Sequence, residues 1–171
     1  MAIESGTVYW ITGLAGAGKT TVGQLVVESL RTTRAVVWLD GDKLRQVFGN
    51  DLGYTLEDRH KGAWRYGRLC KLIAEQGIDV VCCTIAMFHD VRAWNKDNID
   101  SYKEIYLEVP FSVLQQRDQK GLYSSALSGK TTEVVGIDDD VQLPREPYMK
   151  IINDGRYTPE QVAAMIIKGR D

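Results

Sequence analysis

Gly13-Leu14-Ala15-Gly16-Ala17-Gly18-Lys19-Thr20 decides how this chain is read. The stretch fits G-x-x-x-x-G-K-[ST], the phosphate-binding loop, at every fixed position. Its flanks fit as well. Val8-Tyr9-Trp10-Ile11-Thr12 before it is a short apolar run of strand formers. Thr21 to Leu30 after it carries apolar residues at Val22, Leu25, Val26 and Leu30, which is helical spacing. Strand, glycine loop and helix is the context this motif requires. The glycines let backbone N–H groups approach phosphate oxygens closely, and the helix N-terminus adds partial positive charge. Gly13, Ala15, Gly16, Ala17, Gly18, Lys19, Thr20 and Thr21 are therefore the expected nucleotide-binding residues. Lys19 would neutralise β/γ-phosphate charge, and the Thr20 hydroxyl would ligate Mg²⁺.

The rest of the composition narrows the class. A chain of 171 residues is expected to form one domain with a sizeable core, here residues 1–171. The net charge of −2 supplies no basic field for nucleic acid or an anionic membrane. No apolar run approaches the roughly 20 residues of a membrane span. The residues from Met1 to Gly6 lack a basic stretch followed by an apolar one, which is not the pattern of a signal peptide and favours the cytoplasm. Cys70, Cys82 and Cys83 have no C-x-x-C spacing and read as buried, reduced core thiols.

Strand and helix signals alternate along the chain. Ala35–Leu39 is a second strand and Asp42–Phe48 a short helix. Thr55 caps a long helix through Gln76, and Asp79–Ile85 is a third strand, apolar enough to be buried on both faces. Asp90 caps a helix through about Asn98. Glu104–Val109 is a fourth strand, followed by a helix at Ser112–Arg117, and Lys150–Asn153 is a fifth strand. Thr158, Pro159 and Gln161 make an N-cap, a first-turn proline and a capping box for the last helix. This order predicts an α/β fold, a three-layer arrangement with a mainly parallel sheet and helices on both faces. Ligands in such folds bind beyond the carboxyl ends of the strands. The segment from about 120 to 148 shows little periodicity and contains Asp138-Asp139-Asp140, so it reads as a mobile lid over a nucleotide.

Two constellations add chemistry. Asp40-Gly41-Asp42 with Arg45 follows the second strand, where a carboxylate accepts a hydroxyl proton or orients Mg²⁺. Asp42 is expected to cap the next helix while Asp40 stays free for chemistry. Arg59 and Arg65 on the long helix suit bidentate phosphate contacts and face the same region. Arg117 to Tyr123 opens the lid, with Arg117 and Lys120 poised toward nucleotide phosphates. Asn95-Lys96-Asp97 is not a guanine-reading motif, because its Asp falls one position early and the run lies in a helix.

These residues together resemble the adenylylsulfate (APS) kinase family of P-loop kinases over nearly the whole chain. The resemblance rests on the glycine loop through Thr21, Asp40-Gly41-Asp42 with Arg45, and Asp51-Leu52-Gly53-Tyr54. Asp58-Arg59, Arg117 to Tyr123 and Gly136-Ile137-Asp138 complete it. It implies ATP-dependent, Mg²⁺-dependent transfer of a phosphoryl group to the 3′-hydroxyl of a small-molecule nucleotide, adenosine 5′-phosphosulfate, and a possible homodimer. By position it makes Asp40, with Asp42, Lys19 and Lys120, the catalytic set, and Thr20 with Asp40 the metal-facing pair. Arg45 and Arg59 would hold the acceptor's phosphate-like group, and Tyr54 would stack on its base. Ile85, Ala86, Met87, Phe88, Gly121, Leu122 and Val134 would line the acceptor.

The departures from the family pattern fall on the acceptor side. Gly62 stands where the family has a substrate-binding Asn, and Trp64 where it has an Arg. Ile85-Ala86-Met87-Phe88 replaces Ile-Ser-Pro-Tyr/Phe, and Val134 replaces a stacking Phe. These changes open the alternative of a CDP-linked acceptor such as cytidine diphosphoramidate, with the same reaction type.

Overall fold

The computed structural model describes residues 4–130, 134–136 and 141–169. Its strands are β1 (Val8–Thr12), β2 (Val36–Asp40), β3 (Asp79–Cys83), β4 (Tyr102–Glu108) and β5 (Met149–Ile152). They form one sheet in the order β2-β3-β1-β4-β5, and every pairing is parallel. The helices are α1 (Lys19–Leu30), α2 (Gly41–Val47), α3 (Leu56–Ala74), α4 (His89–Asn98), α5 (Phe111–Arg117), α6 (Leu122–Leu127) and α7 (Pro159–Lys168). The expected α/β architecture with a parallel sheet and helices on both faces is present.

Residue alternation on the central strand builds the two cores. Tyr9 and Ile11 join Val22, Val26 and Leu30 of α1, Leu114 of α5 and Val162 and Ile166 of α7 on one face. Val8 and Trp10 point the other way, onto Ala63, Cys70 and Ala74 of α3 and Val91 of α4. A strand's side chains alternate between faces, so five consecutive apolar residues serve two layers at once. All three cysteines are free and buried, as expected of core thiols.

Helix ends follow local chemistry, with three differences from the sequence expectation. Thr55 caps α3 by accepting from Asp58 N, and Thr158 with Gln161 completes the capping box of α7, both as read from sequence. Asp42 does not cap α2. Asp40 does, its Oδ1 accepting from Asp42 N at 3.1 Å, because the helix begins one residue earlier, at Gly41. Asp90 does not cap α4 either. Phe88 occupies the N-cap position, and Asp90, the second residue of the helix, pairs with His60 at 2.7 Å. The segment from 120 carries the helix α6, and Asp118 accounts for it. Its Oδ1 accepts from the backbone N–H of Tyr123 and of Ser124, two donors that a helix start leaves orphaned. Asp138 to Asp140 and Ile137 lie outside the described residues.

One close approach sets the depth of α1 against the sheet. A Cβ at Gly23 would overlap the Cys83 Sγ at the end of β3. Alanine favours a helix over glycine by about 1 kcal/mol, yet overpacking a dense core costs about 1–3 kcal/mol. Gly23→Ala is therefore expected to lower the thermal midpoint by several degrees. In a Cys83→Ala background the same substitution should be neutral or stabilising. Equal costs in both backgrounds, measured by denaturant unfolding, would show that the Gly23–Cys83 contact does not limit the packing.

Candidate functional site

The glycine loop leaves the carboxyl end of β1, between β3 and β4, and delivers the chain into α1. Gly16 and Gly18 take φ of 80° and 89°, which side-chain-bearing residues rarely adopt. The carbonyls of Gly13 to Ala17 each accept a hydrogen bond. Lys19 Nζ donates to Gly13 O and Leu14 O, both at 2.8 Å. The Tyr123 hydroxyl donates to Ala15 O at 2.6 Å, Arg117 to Gly16 O at 3.0 Å, and Asn153 Nδ2 to Ala17 O at 2.8 Å. A second Arg117 nitrogen donates to Asn153 O at 2.9 Å, so these groups brace one another. A glycine loop braced in this way ahead of a helix N-terminus is the arrangement that binds anions.

Lys19 sits beneath this loop. Burial pulls its pKa down from the usual 10.5 to about 8, against the nearby Cys83, Asp40 and Asp42, which favour the charged form. The neighbouring Thr20 Oγ1 donates to Asp40 Oδ2 at 2.9 Å. Asp40 is only 8% exposed, held by this hydroxyl on one oxygen and by its capping bond on the other. A hydroxyl and a carboxylate oxygen side by side at the base of a phosphate loop are hard oxygen donors. That is the donor set Mg²⁺ takes, with phosphate and water completing the sphere. Thr20 and Asp40 therefore fit a Mg²⁺–nucleotide.

A cleft of about 740 Å³ runs from this loop across the carboxyl edge of the sheet. Of the residues expected at the site, Ala15, Gly16, Gly18, Lys19, Thr20, Thr21, Asp40, Asp42, Arg45, Tyr54 and Arg59 line it. So do Ile85, Ala86, Met87, Phe88, Lys120, Leu122 and Val134. Gly13, Ala17, Gly62, Arg117 and Gly121 do not line it. Arg65 is turned away as well, gripping Asp51 with two nitrogens at 2.8 and 2.7 Å, so it does not share a region with Arg59. That grip holds the exposed Asp51 carboxyl down to about 2.

At the far end of the cleft, Arg45 donates to Leu52 O and Gly53 O, and Arg59 Nε donates to Tyr54 O at 2.8 Å. Both guanidiniums lie near the Tyr54 ring, at 4.5 and 5.9 Å from its centroid. Tyr54 itself is 63% exposed, a broad aromatic face at the rim. Opposite it stand Ile85 to Phe88, where Ala86 takes a φ of 24°. Such a conformation at a side-chain-bearing residue costs about 1–3 kcal/mol and collects at functional sites. Phe88 is backed edge-on by His60 at 4.8 Å, and Trp64 donates to His60 at 3.2 Å while meeting Trp94 at 5.7 Å. Trp64 is therefore in the layer behind the wall. Lys120 reaches Asp42 across the cleft mouth at 3.5 Å, from a backbone with φ of 57°. Both partners are highly exposed, so this pair contributes little by itself. Among the described residues no His, Cys, Asp and Glu cluster forms a metal cage, and no helix is long and apolar enough to cross a membrane.

Asn153, the Tyr66 side chain, Leu56, Val135 and Val141 are residues of this region that the sequence reading passed over. Asn153 follows β5, and the rule that ligands lie beyond strand carboxyl ends is the signal that points to it.

A family model for adenylylsulphate kinase matches residues 5–152. The chain is 38% identical over 162 residues to a cytidine diphosphoramidate kinase of Campylobacter jejuni, 94% of either chain. It is 35% identical over 169 residues to an adenylyl-sulfate kinase of Halothermothrix orenii, covering 98% of this chain and 91% of that one. The solved structure of the Mycobacterium tuberculosis APS kinase in complex with AMPPNP and APS superposes with a TM-score of 0.87. It shares 30% identity and covers 96% of both chains.

The depressed Lys19 gives a signed pH dependence. Its ammonium is present below about 8 and is lost as pH rises through that value. A bound polyphosphate raises the pKa back toward 10.5, so nucleotide binding near pH 9 takes up a proton. Calorimetry in buffers of different ionisation enthalpy is expected to show this uptake at pH 9, and little at pH 7. A Lys19→Gln protein should show it at neither pH.

Proposed function

The chain belongs to the adenylylsulphate kinase family, and on that footing we propose that it transfers the γ-phosphoryl group of ATP to the ribose 3′-hydroxyl of adenosine 5′-phosphosulfate. It does so as one catalytic unit in the cytoplasm, with the segment from about 120 to 148 as its lid. The observation that carries this reading is a single cleft with two ends of different chemistry. One end has the phosphate loop, Lys19 and the Thr20–Asp40 pair; the other has Arg45, Arg59 and the Tyr54 face.

The residues divide the work by position. The N–H groups of the loop and Lys19 bind the ATP phosphates. Thr20 and Asp40 would hold Mg²⁺, which would supply neutralisation of charge on the transferring group. Arg45 and Arg59 hold the acidic group of the acceptor and Tyr54 stacks on its base, which aligns the ribose hydroxyl with the γ-phosphorus. Orientation of this kind and electrostatic stabilisation supply most of phosphoryl transfer. Asp40 accepts the hydroxyl proton as the oxygen attacks. Lys120, on its left-handed backbone, leaves Asp42 for the transferring phosphoryl oxygens as the lid closes.

A second reading has its own observation. Gly62, Trp64, Ala86 and Val134 all depart from the family pattern on the acceptor side, and Val134 is 2% exposed, packed into the core. A shortened wall favours a smaller base, and a CDP-linked acceptor such as cytidine diphosphoramidate supplies one. Here too the reaction is transfer to a ribose hydroxyl.

Two measurements test this. Coupled ADP release with adenosine 5′-phosphosulfate and cytidine diphosphoramidate offered separately assigns the acceptor, and turnover of the adenosine compound at low concentration is the expected result. Asp40→Asn keeps a good helix cap and removes the charge. It is expected to bind ATP but lose roughly 10²- to 10⁴-fold in kcat, the span of general base catalysis. Undiminished kcat would remove Asp40 from the base role.

A further inference from the structure

Tyr66 projects from α3 into the acceptor end of the cleft. The residue is only 5% exposed, yet it lines the cleft. Its ring is fixed by a stacked contact with Phe48, at 6.1 Å between centroids and 21° between planes. Its hydroxyl makes no hydrogen bond to any described residue. The oxygen itself opens onto the cleft, where a tyrosine hydroxyl can donate to or accept from a bound molecule. Burial raises its pKa, so the O–H stays protonated and available as a donor even beside the Arg45 charge.

The position of this hydroxyl is informative. A Cβ built on Gly62 would lie 3.4 Å from Tyr66 Oη and 3.6 Å from Leu52 Cδ1. The hydroxyl thus stands in the space that a side chain at position 62 would enter. Position 62 is where the family pattern carries a polar, substrate-binding Asn and this chain carries none. One turn along the same helix, Tyr66 brings a donor and acceptor back to that place.

We propose that the Tyr66 hydroxyl is the acceptor-recognition group that replaces the missing side chain at position 62, hydrogen-bonding the bound nucleotide beside Arg45 and setting which acceptor is used. This rests on the reading of the cleft as an acceptor nucleotide site. Because the ring is locked by Phe48, the hydroxyl is held in place before the acceptor arrives, and little freedom is lost when it binds. A site built around a fixed hydrogen-bonding group also rejects a nucleotide that leaves the group unpaired.

Tyr66→Phe removes one oxygen atom and keeps the ring, so the Phe48 stack and the core survive. The experiment compares wild type and Tyr66→Phe for steady-state turnover with adenosine 5′-phosphosulfate and with cytidine diphosphoramidate, each with ATP varied and then saturating. The expected result is a loss of roughly 10- to 100-fold in kcat/KM for the acceptor that the wild type uses, carried mainly by KM. The KM for ATP should stay within twofold, which a general loosening of the fold would not allow. An unchanged acceptor KM overturns the proposal, and so does a parallel rise in both KM values. Wild-type protein that phosphorylates neither compound overturns the proposed function instead. The Tyr66 assignment is then decided by calorimetric binding of adenosine and cytidine 5′-monophosphates to the ADP-loaded protein. Weaker binding of either nucleotide by Tyr66→Phe supports it, and equal affinities overturn it.

Discussion

The peptide groups of the glycine loop can face only one way at a time, and the structure spends its longest-range hydrogen bonds fixing that choice. A peptide's N–H and C=O point in opposite directions. Holding the carbonyls of Gly13 to Ala17 in hydrogen bonds fixes the direction of the N–H groups as well. The donors come from the start of α1, the end of α5, the first turn of α6 and the residue after β5. The Lys19 bonds are local, but those from Arg117, Tyr123 and Asn153 span more than 100 residues, so the loop's shape depends on the sheet edge around it. Gly18 shows the tightness of the result, since a Cβ there would stand 2.8 Å from Asn153 Nδ2.

The same economy appears in the segment Arg117 to Tyr123. Arg117 ties the loop, Asp118 caps α6, and the Tyr123 hydroxyl returns to Ala15 O. Asp118, Lys120 and Gly121 all take positive φ, which turns the chain sharply enough to place Lys120 opposite Asp42. The segment Arg117 to Tyr123 and the glycine loop are thereby one hydrogen-bonded unit. Asp40 is similarly shared. Its two oxygens serve a helix cap and Thr20, and this pins the carboxylate on which the proposed chemistry turns.

Behind the wall of Ile85 to Phe88 the chain packs aromatic rings. Phe88, His60, Trp64 and Trp94 form one contiguous set of ring contacts behind the wall. Trp64 joins this set and faces away from the cleft, while the small Gly62 leaves room for the Tyr66 hydroxyl. Substitutions that look like isolated losses along the sequence are, in space, a repacked layer between α3 and α4.

The sequence by itself determined the glycine loop, the parallel α/β order, the caps at Thr55 and Thr158 and most of the residues that line the cleft. Each of these is written in local spacing: a fixed motif, an apolar period, a cap three residues from its partner. It misassigned the caps at Asp42 and Asp90, and it passed over α6, Asn153 and Tyr66. Cap positions turn on where a helix begins to within one residue, and apolar spacing locates that start only to within a turn. The helix α6 is too short for periodicity to register, and Asp118 stabilises it from outside its span. The Asn153 and Tyr66 contacts join residues far apart along the chain or reach across a turn into a shared cleft. Only the packed sheet and helices brought these groups within hydrogen-bonding distance of what they serve.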